Sequence, residues 1–386
     1  MDTPGASLPL ESDTGLYIHV PFCGSICSYC HFARTADHDP DIRRRYVDGV
    51  LAEFELRRAG CSVLSSGNRH LATCYLGGGT PSELETELVA RLLEGTVGRL
   101  PLADNFELTA EANPESLTEE KARRWRDLGV TRISLGVQSL EAGVLELLGR
   151  ACDPATAREG LARACRIFRH VSADWIIGPG LQEKNLLAEL TEAVDLGVEH
   201  FSVYILELHA GTRLAAMAEQ GTWRPASDSV TEQLYLAVID HLAGLGITQY
   251  EVANFARPFA ESRHNSNYWR GRPWLGLGPS AHGFWGKRRY ANFDDLGRWL
   301  DVVEKGRLPE ASFDPLDLAA RRLERLILSL RTRRGVPLEW LERRGWDTER
   351  GLREGLWEVR DGRLILTGRG FLRIDTIEER LAGLTP

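Results

Sequence analysis

Three cysteines, Cys23, Cys27 and Cys30, stand in one short run, His19-Val-Pro-Phe-Cys-Gly-Ser-Ile-Cys-Ser-Tyr-Cys-His31. The C-x3-C-x2-C spacing offers three thiolates from a single loop, with no fourth cysteine beside them. Three protein thiolates on a four-iron cluster leave one iron open to an exogenous ligand, so the pattern suits a 4Fe-4S cluster that acts on a bound small molecule. Structural zinc is the competing use. It takes four ligands, usually from two separated knuckles. His31 offers a fourth donor, but it follows Cys30 directly and would have to bend back to the same ion. No second C-x2-C lies downstream. Seven cysteines, an odd count in 386 residues, argue against a disulfide framework. Cys61, Cys74, Cys152 and Cys165 are scattered along the chain and read as buried thiols.

A loop of this kind needs a rigid frame. From about residue 15 to 205, short apolar runs alternate with helical patterns. The strand candidates are Leu16–Val20, Thr73–Leu76, Phe106–Ala110, Arg132–Val137, Ala173–Ile177 and Phe201–Leu206. Helices are expected over Asp41–Arg58, Ser82–Leu93, Thr118–Leu128, Ala155–Phe168 and Leu186–Leu196, with Ser82 and Thr118 as N-caps. Nearly apolar strands alternating with helices indicate parallel βα units covered by helices. Six strands are too few for an eightfold barrel, so the fold class is α/β, an open, partial (βα)6 barrel. The chemistry of such barrels gathers on loops that leave the C-terminal ends of strands. The cysteine loop follows the first strand candidate.

The second strand candidate ends in Leu76-Gly-Gly-Gly-Thr-Pro-Ser82. One glycine would satisfy a tight strand-to-helix turn; three in a row suggest close approach of the backbone to a ligand. Glu111 and Gln138 follow the third and fourth strands, Arg150 closes the helix after the fourth, and Asp174 lies within the fifth. Taken singly, each reads as a cap, a surface group or a structural ion pair. Together on one barrel rim they form a candidate binding site.

Beyond residue 206 the alternation weakens. A helical segment, Ser229–Leu245, precedes Tyr250–Phe255 and a Gly/Pro/aromatic-rich stretch, Arg263–Trp285. The last 70 or so residues bring helical periodicity over Leu318–Arg331 and a hairpin over Trp357–Leu366, with Asp361-Gly362 at a turn that demands positive φ. Helices before a hairpin and a helix after it suggest a winged-helix-like unit. The expected organisation is a 1–14 extension, a 15–210 barrel, a 211–310 region that completes it and a 311–386 C-terminal domain.

Composition bounds the function. A hydrophobic fraction of 43% and a charged fraction of 26% are ordinary for a globular protein, and a net charge of -8 argues against general nucleic-acid binding. The acidic start Met1–Asp13 lacks the basic and apolar regions of a signal peptide, and no apolar run approaches the roughly 20 residues of a membrane span. Reduced cysteines then fit a cytoplasmic location.

The sequence resembles the radical S-adenosylmethionine (SAM) family of oxygen-independent coproporphyrinogen III oxidase-like proteins, and within it the heme-chaperone branch. The resemblance spans almost the whole chain. It rests on Tyr17–Cys23, the cysteine motif, Gly77–Pro81, Glu111–Pro114, Ile133–Ser139, Leu148–Arg150, Tyr250–Phe255, His264–Trp269, Leu275–Gly278 and Leu366–Gly370. It implies that Cys23, Cys27 and Cys30 hold the 4Fe-4S cluster, whose open iron is chelated by the amino and carboxylate groups of SAM. It implies further that Tyr17, Tyr29, Gly78, Gly79, Thr80, Glu111, Gln138, Arg150 and Asp174 surround SAM. The family fold is the partial barrel, with a C-terminal helical domain over its open side.

Two features favour the chaperone branch over the oxidase. The oxidase motif has a fourth cysteine two places after the third, where this chain has Phe32, and a longer segment before its cluster than the 22 residues found here. The H-N-x-x-Y-W element, His264 to Trp269, is typical of the chaperones. Three departures point toward a divergent substrate or altered use of SAM: His31 stands where the branch usually has aspartate, Cys152 where histidine is common, and Gly178-Pro-Gly-Leu-Gln182 replaces a Gly-Leu-Pro-Gly-Gln element.

Three functions therefore compete. In the first, the protein binds heme and passes it to apo-hemoproteins, with cluster and SAM controlling oligomerisation or transfer. His264, among Tyr268, Trp269 and Trp274, is then the candidate heme ligand, against a structural reading as a satisfied histidine in a packed aromatic corner. The second is a radical enzyme, a coproporphyrinogen oxidase or a related methyltransferase, which would draw electrons from flavodoxin or ferredoxin. The third is a redox-sensing or winged-helix interaction protein, with nucleic-acid binding expected to be absent. The resemblance also brings in homodimer formation and, as a variant of the cytoplasmic location, peripheral membrane attachment.

Overall fold

A computed structural model describes residues 13–59, 70–180, 182–285, 288–342 and 345–383. Cys61, Leu181 and all but the last residue of the Met1–Asp13 stretch lie outside the described residues. Six parallel strands form the centre: β1 (Asp13–Val20), β2 (His70–Gly78), β3 (Leu102–Ala112), β4 (Arg132–Gln138), β5 (His170–Ile177) and β6 (His200–Ile205). They pair side by side in chain order. All six correspond to the runs expected from the sequence.

The sheet continues beyond both ends of this centre. Past β6 lie the short antiparallel strands β7 (Thr248–Gln249) and β8 (Asn254–Ala256), with β8 next to β6. On the other side, β9 (Trp274–Leu277) pairs in parallel with β1, from Gly15↔Trp274 to Ile18↔Leu277. Then follow β10 (His282–Trp285), β11 (Arg288–Asn292) and β12 (Glu310–Pro315), all antiparallel. β12 crosses the boundary expected at residue 310, so the sheet runs on to Pro315. β1 and β6 are not partners, and the barrel is open.

The strands alternate with period two. Leu16, Ile18 and Val20 of β1, Ile133, Leu135 and Val137 of β4, and Ala173, Trp175 and Ile177 of β5 are buried in the apolar core, on the face that the connecting helices cover. The opposite residues, Thr109, Glu111, Arg132, Ser134, Ser172, Asp174, His200 and Ser202, surround a polar interior cavity of ≈ 30 Å³. That is room for one or two water-sized groups.

Helix boundaries follow local chemistry. Glu119–Asp127 is capped by Thr118, whose side chain accepts from Lys121 N. Ser82 does not cap the second helix: Pro81 pre-sets a short 3-10 turn, Pro81–Glu83, and the helix starts later, at Thr86. Buried Ser82 instead pairs with Ser116 Oγ at 2.5 Å and accepts from Asn113 N at 3.2 Å.

The helix Arg263–Trp269 closes the barrel at the N-terminal ends of its strands. The Arg132 guanidinium donates to Glu107 at 3.1 Å, to Ser172 at 3.1 Å and to the carbonyls of Ala260 and Glu261 at 2.9 and 3.2 Å. Glu107 in turn accepts from the backbone N–H groups of Arg263 and His264. The C-terminal unit then spans the gap between the two sheet ends. Its helix Leu318–Leu330 meets β11 through Glu324 and Arg289, while Arg331 and Arg333 bond the backbone of Val252 and Tyr250. A small sheet of β13 (Val336–Pro337), β14 (Trp357–Arg360) and β15 (Arg363–Leu366) completes the unit. Its hairpin turns at Asp361 and Gly362, with φ +50° and +69°. No described helix is long and apolar enough to cross a membrane.

Candidate functional site

The cysteine loop leaves the C-terminal end of β1 and is closed at its base. Thr35 N donates to Pro21 O at 2.8 Å, and Cys23 N donates to Thr35 O at 2.9 Å. Two neighbours hold its far side: Ser28 N bonds Leu148 O and Leu214 N bonds Ser28 O, both at 2.9 Å. Cys23 is buried, while Cys27 and Cys30 are half-buried. The three sulfurs are close enough to act on one another electrostatically.

The glycine loop locks onto this loop. Gly79 N donates to Val20 O at 2.8 Å and Thr80 N to Phe22 O at 2.7 Å. A Cβ at Gly79 would sit 2.8 Å from the Phe22 oxygen, and one at Gly77 would strike the Tyr75 ring at 2.6 Å. Gly78 has φ +114°, and a Cβ there would meet the His19 ring at 2.5 Å. Each glycine is thus packed where a side chain would meet a neighbouring protein group.

Polar residues on the barrel rim surround the sulfurs. Arg150 Nη1 lies 3.4 Å from Cys27 Sγ, and Nη2 donates to Asn113 Oδ1 at 2.8 Å and to Gly136 O at 2.7 Å. Thr80 Oγ1 faces Cys23 Sγ at 3.6 Å. Asn113, which sequence reasoning passed over as a site residue, also reaches Thr80 at 3.4 Å; its place before Pro114 at a strand end was the available signal. Gln138 ends β4 with φ +70°, a strained conformation for a side-chain-bearing residue. Tyr17 Oη contacts His19 Nδ1 at 3.2 Å on the inner face of β1. Tyr29 is half-buried near Cys27, Arg150 and Asp174, and burial raises its phenol.

Two carboxylates stand deeper on the inner wall. Glu111 accepts from Tyr75 Oη at 2.7 Å and from Gly78 N at 3.0 Å, yet burial pushes its carboxyl up to about 7. Burial likewise pushes Asp174 up to about 6, against hydrogen bonds from Ser202 and Ser134. The candidate residues therefore gather at one end of the barrel, and Glu111 and Asp174 reach into the polar cavity.

The donor set fits an iron–sulfur cluster better than one zinc ion. His31 is turned to His209, with ring centroids 3.5 Å apart. Around the sulfurs, Arg150 Nε and Arg34 Nε are buried without a hydrogen-bond partner. Unspent cationic donors beside three thiols suit an anionic thiolate cluster and a carboxylate-bearing ligand. Burial raises the Cys23 thiol to about 11 and raises Cys30 as well, so metal loading must displace protons from them.

His264 lies elsewhere. It is buried under β2, with Nδ1 2.9 Å from Thr73 Oγ1 and Nε2 2.7 Å from Tyr268 Oη. Both ring nitrogens are committed and neither reaches the surface. This geometry corrects the expectation of a heme ligand at His264: the imidazole is a satisfied core group that ties the closing helix to the barrel.

Comparison with known proteins gives a consistent picture. The Radical SAM superfamily model matches residues 17–193. The heme chaperone HemW of Mycobacterium tuberculosis is 37% identical over 99% of this chain and 98% of its own. The mitochondrial radical S-adenosyl methionine domain-containing protein 1 of Bos taurus is 33% identical over 88% of this chain and 73% of its own. Among solved structures, coproporphyrinogen III oxidase (HemN) from Escherichia coli superposes with a TM-score of 0.80, at 22% identity, over 98% of this chain and 92% of that one. At that identity the likeness speaks for the fold.

Proposed function

Because this chain belongs to the radical SAM superfamily, in the branch of the heme chaperone HemW, we propose that it binds heme and delivers it to apo-hemoproteins. The near-full-length 37% identity to a heme chaperone carries this reading. Membership in the superfamily implies a 4Fe-4S cluster and SAM, and Cys23, Cys27 and Cys30 are the residues that would hold the cluster. With SAM bound, such a cluster supplies the means of cleaving a sulfonium to a carbon radical.

The chain's own groups suit this ligand pair. Arg150 would offset thiolate charge at Cys27, 3.4 Å from its Nη1, and keeps a buried Nε without a hydrogen-bond partner. Glu111 and Asp174 offer carboxylate oxygens to the hydroxyls of a ribose. Tyr17, Tyr29, Thr80, Gln138 and the Gly78–Gly79 backbone complete the proposed SAM wall. The closed polar cavity of the barrel, with room for only one or two water-sized groups, is too small for a macrocycle, so heme would sit outside it. Handover of heme to a partner protein is also easier from an exposed surface than from a closed barrel.

Anaerobic reconstitution followed by ferric heme titration tests the function. A saturable Soret shift, with transfer to an added apo-hemoprotein and little 5'-deoxyadenosine, is the expected result. Stoichiometric 5'-deoxyadenosine with a substrate-derived product, and no heme binding, would replace the chaperone by a radical enzyme.

A further inference from the structure

With His264 enclosed, the iron of a bound heme needs another ligand, and the barrel rim offers one. His31 follows the last cluster cysteine and is exposed. Its ring stacks on Phe32 at 4.8 Å on one side and lies 3.5 Å from the ring of His209 on the other. His209 is itself held by Glu207, whose Oε2 lies 3.3 Å from Nε2. Two loops carry these residues, the cysteine loop and the one after β6, and the Leu214–Ser28 backbone bond joins them.

The same two loops expose large apolar side chains: Ile26 is 51% exposed, Phe32 56% and Leu208 39%. Exposed Arg213 and half-buried Arg34 add cations, the latter donating to Phe32 O at 2.6 Å. An iron porphyrin is well served by an imidazole donor for the metal, an apolar wall for the ring and cations for its carboxylates. All three lie on this rim, beside the cluster loop.

Resting on the heme reading above, we propose that this rim is the heme-binding surface, with His31 as axial ligand and His209 as the residue that positions its ring. Stacked as they are, the two imidazoles do not both face one iron. His31 is the more exposed and has no hydrogen-bond partner among the described residues, whereas His209 is oriented by Glu207. A carboxylate behind an imidazole fixes its orientation, and here the support passes from Glu207 through His209 to His31 by ring contact. Ile26, Phe32 and Leu208 then cover part of the macrocycle.

The test is ferric heme titration of the cluster-loaded protein, with the cluster spectrum subtracted and ligation read by electron paramagnetic resonance. The unsubstituted protein is expected to give a saturable, imidazole-ligated signal. In His31→Ala that signal is lost and affinity falls at least about tenfold, while free imidazole restores the signal. In His209→Ala the ligation signal persists with weaker binding, as a positioning role requires. Phe32→Ser weakens binding without changing ligation. Unchanged affinity and an unchanged imidazole signal in His31→Ala would overturn this assignment and leave the chaperone reading standing. Absence of saturable binding to the unsubstituted protein would remove both.

Discussion

Gly79→Ala probes the contact on which the site is built. A Cβ at this position would lie 2.8 Å from the Phe22 oxygen, 2.8 Å from Pro21 C and 2.9 Å from the Pro21 oxygen. All are backbone atoms, so no side-chain rotation relieves the clash and the two loops must part. The same atoms carry the joint: Phe22 O accepts Thr80 N at 2.7 Å and Pro21 O accepts Thr35 N at 2.8 Å. Overpacking of this kind costs about 1–3 kcal/mol. One broken backbone hydrogen bond adds about 1 kcal/mol. The sum, about 2–4 kcal/mol, lowers Tm by roughly 4–8 °C at about 2 °C per kcal/mol for a domain of this size. Thr80 would also be drawn away from Cys23, so cluster loading falls with stability. The assay is Tm by circular dichroism, with iron and sulfide content after anaerobic reconstitution. Gly143→Ala is the control: it lies exposed in the helix Ala142–Leu147, where an added Cβ meets nothing within 4 Å. Helix propensity there predicts a gain of about 0.5–1 kcal/mol and full iron content. Wild-type Tm and iron content in Gly79→Ala would refute the packing account of the glycine loop.

Arg132→Ala strands the buried Glu107 carboxylate and two carbonyls of the closing segment, a loss of about 3–5 kcal/mol in urea unfolding; a loss below about 1 kcal/mol would count against the pinning role given to Arg132. Glu111 and Asp174 titrate at about 7 and about 6 in the folded chain, above their ordinary values of 4.5 and 3.8. Between those limits the folded state binds more protons than the unfolded one. Their stabilisation is therefore complete at low pH and is lost as pH rises through the folded values, by on the order of 1–3 kcal/mol for Glu111. In ligand-free Glu111→Gln the decline in stability between about pH 5 and 7.5 becomes shallower than in the unsubstituted protein, and equal slopes in a pH series of urea melts would exclude this.

Much of the frame is legible in the chain because its signals are local. Each of the six parallel strands is an apolar run flanked by turn residues, and the Cys and Gly loops mark the ends of the first two. Asp361-Gly362 announces its hairpin because that turn needs two positive φ values. The additional strands are harder to read. β7 to β10 are two to four residues long, and the parallel partner of β9 is β1, some 260 residues earlier. His264 illustrates the same difficulty at a site. Its fate depends on Thr73, 191 residues away, which no local pattern reveals. Ser82 was misleading for a simpler reason: Pro81 begins a 3-10 turn that moves the helix start four residues past the would-be cap. The pairing of His31 with His209 joins two loops that are distant in sequence, so neither histidine stands out alone.

The partnership of β1 with β9 has a bearing on biosynthesis. β1 precedes β9 by some 260 residues, so during synthesis one flank of β1 stays unpaired until residues 274–277 have been made. A nascent chain shorter than this carries its cysteine loop on a half-finished edge, with bare amide and carbonyl groups inviting foreign strands. Termination upstream of Trp274 is therefore expected to yield products prone to aggregate rather than a smaller working barrel.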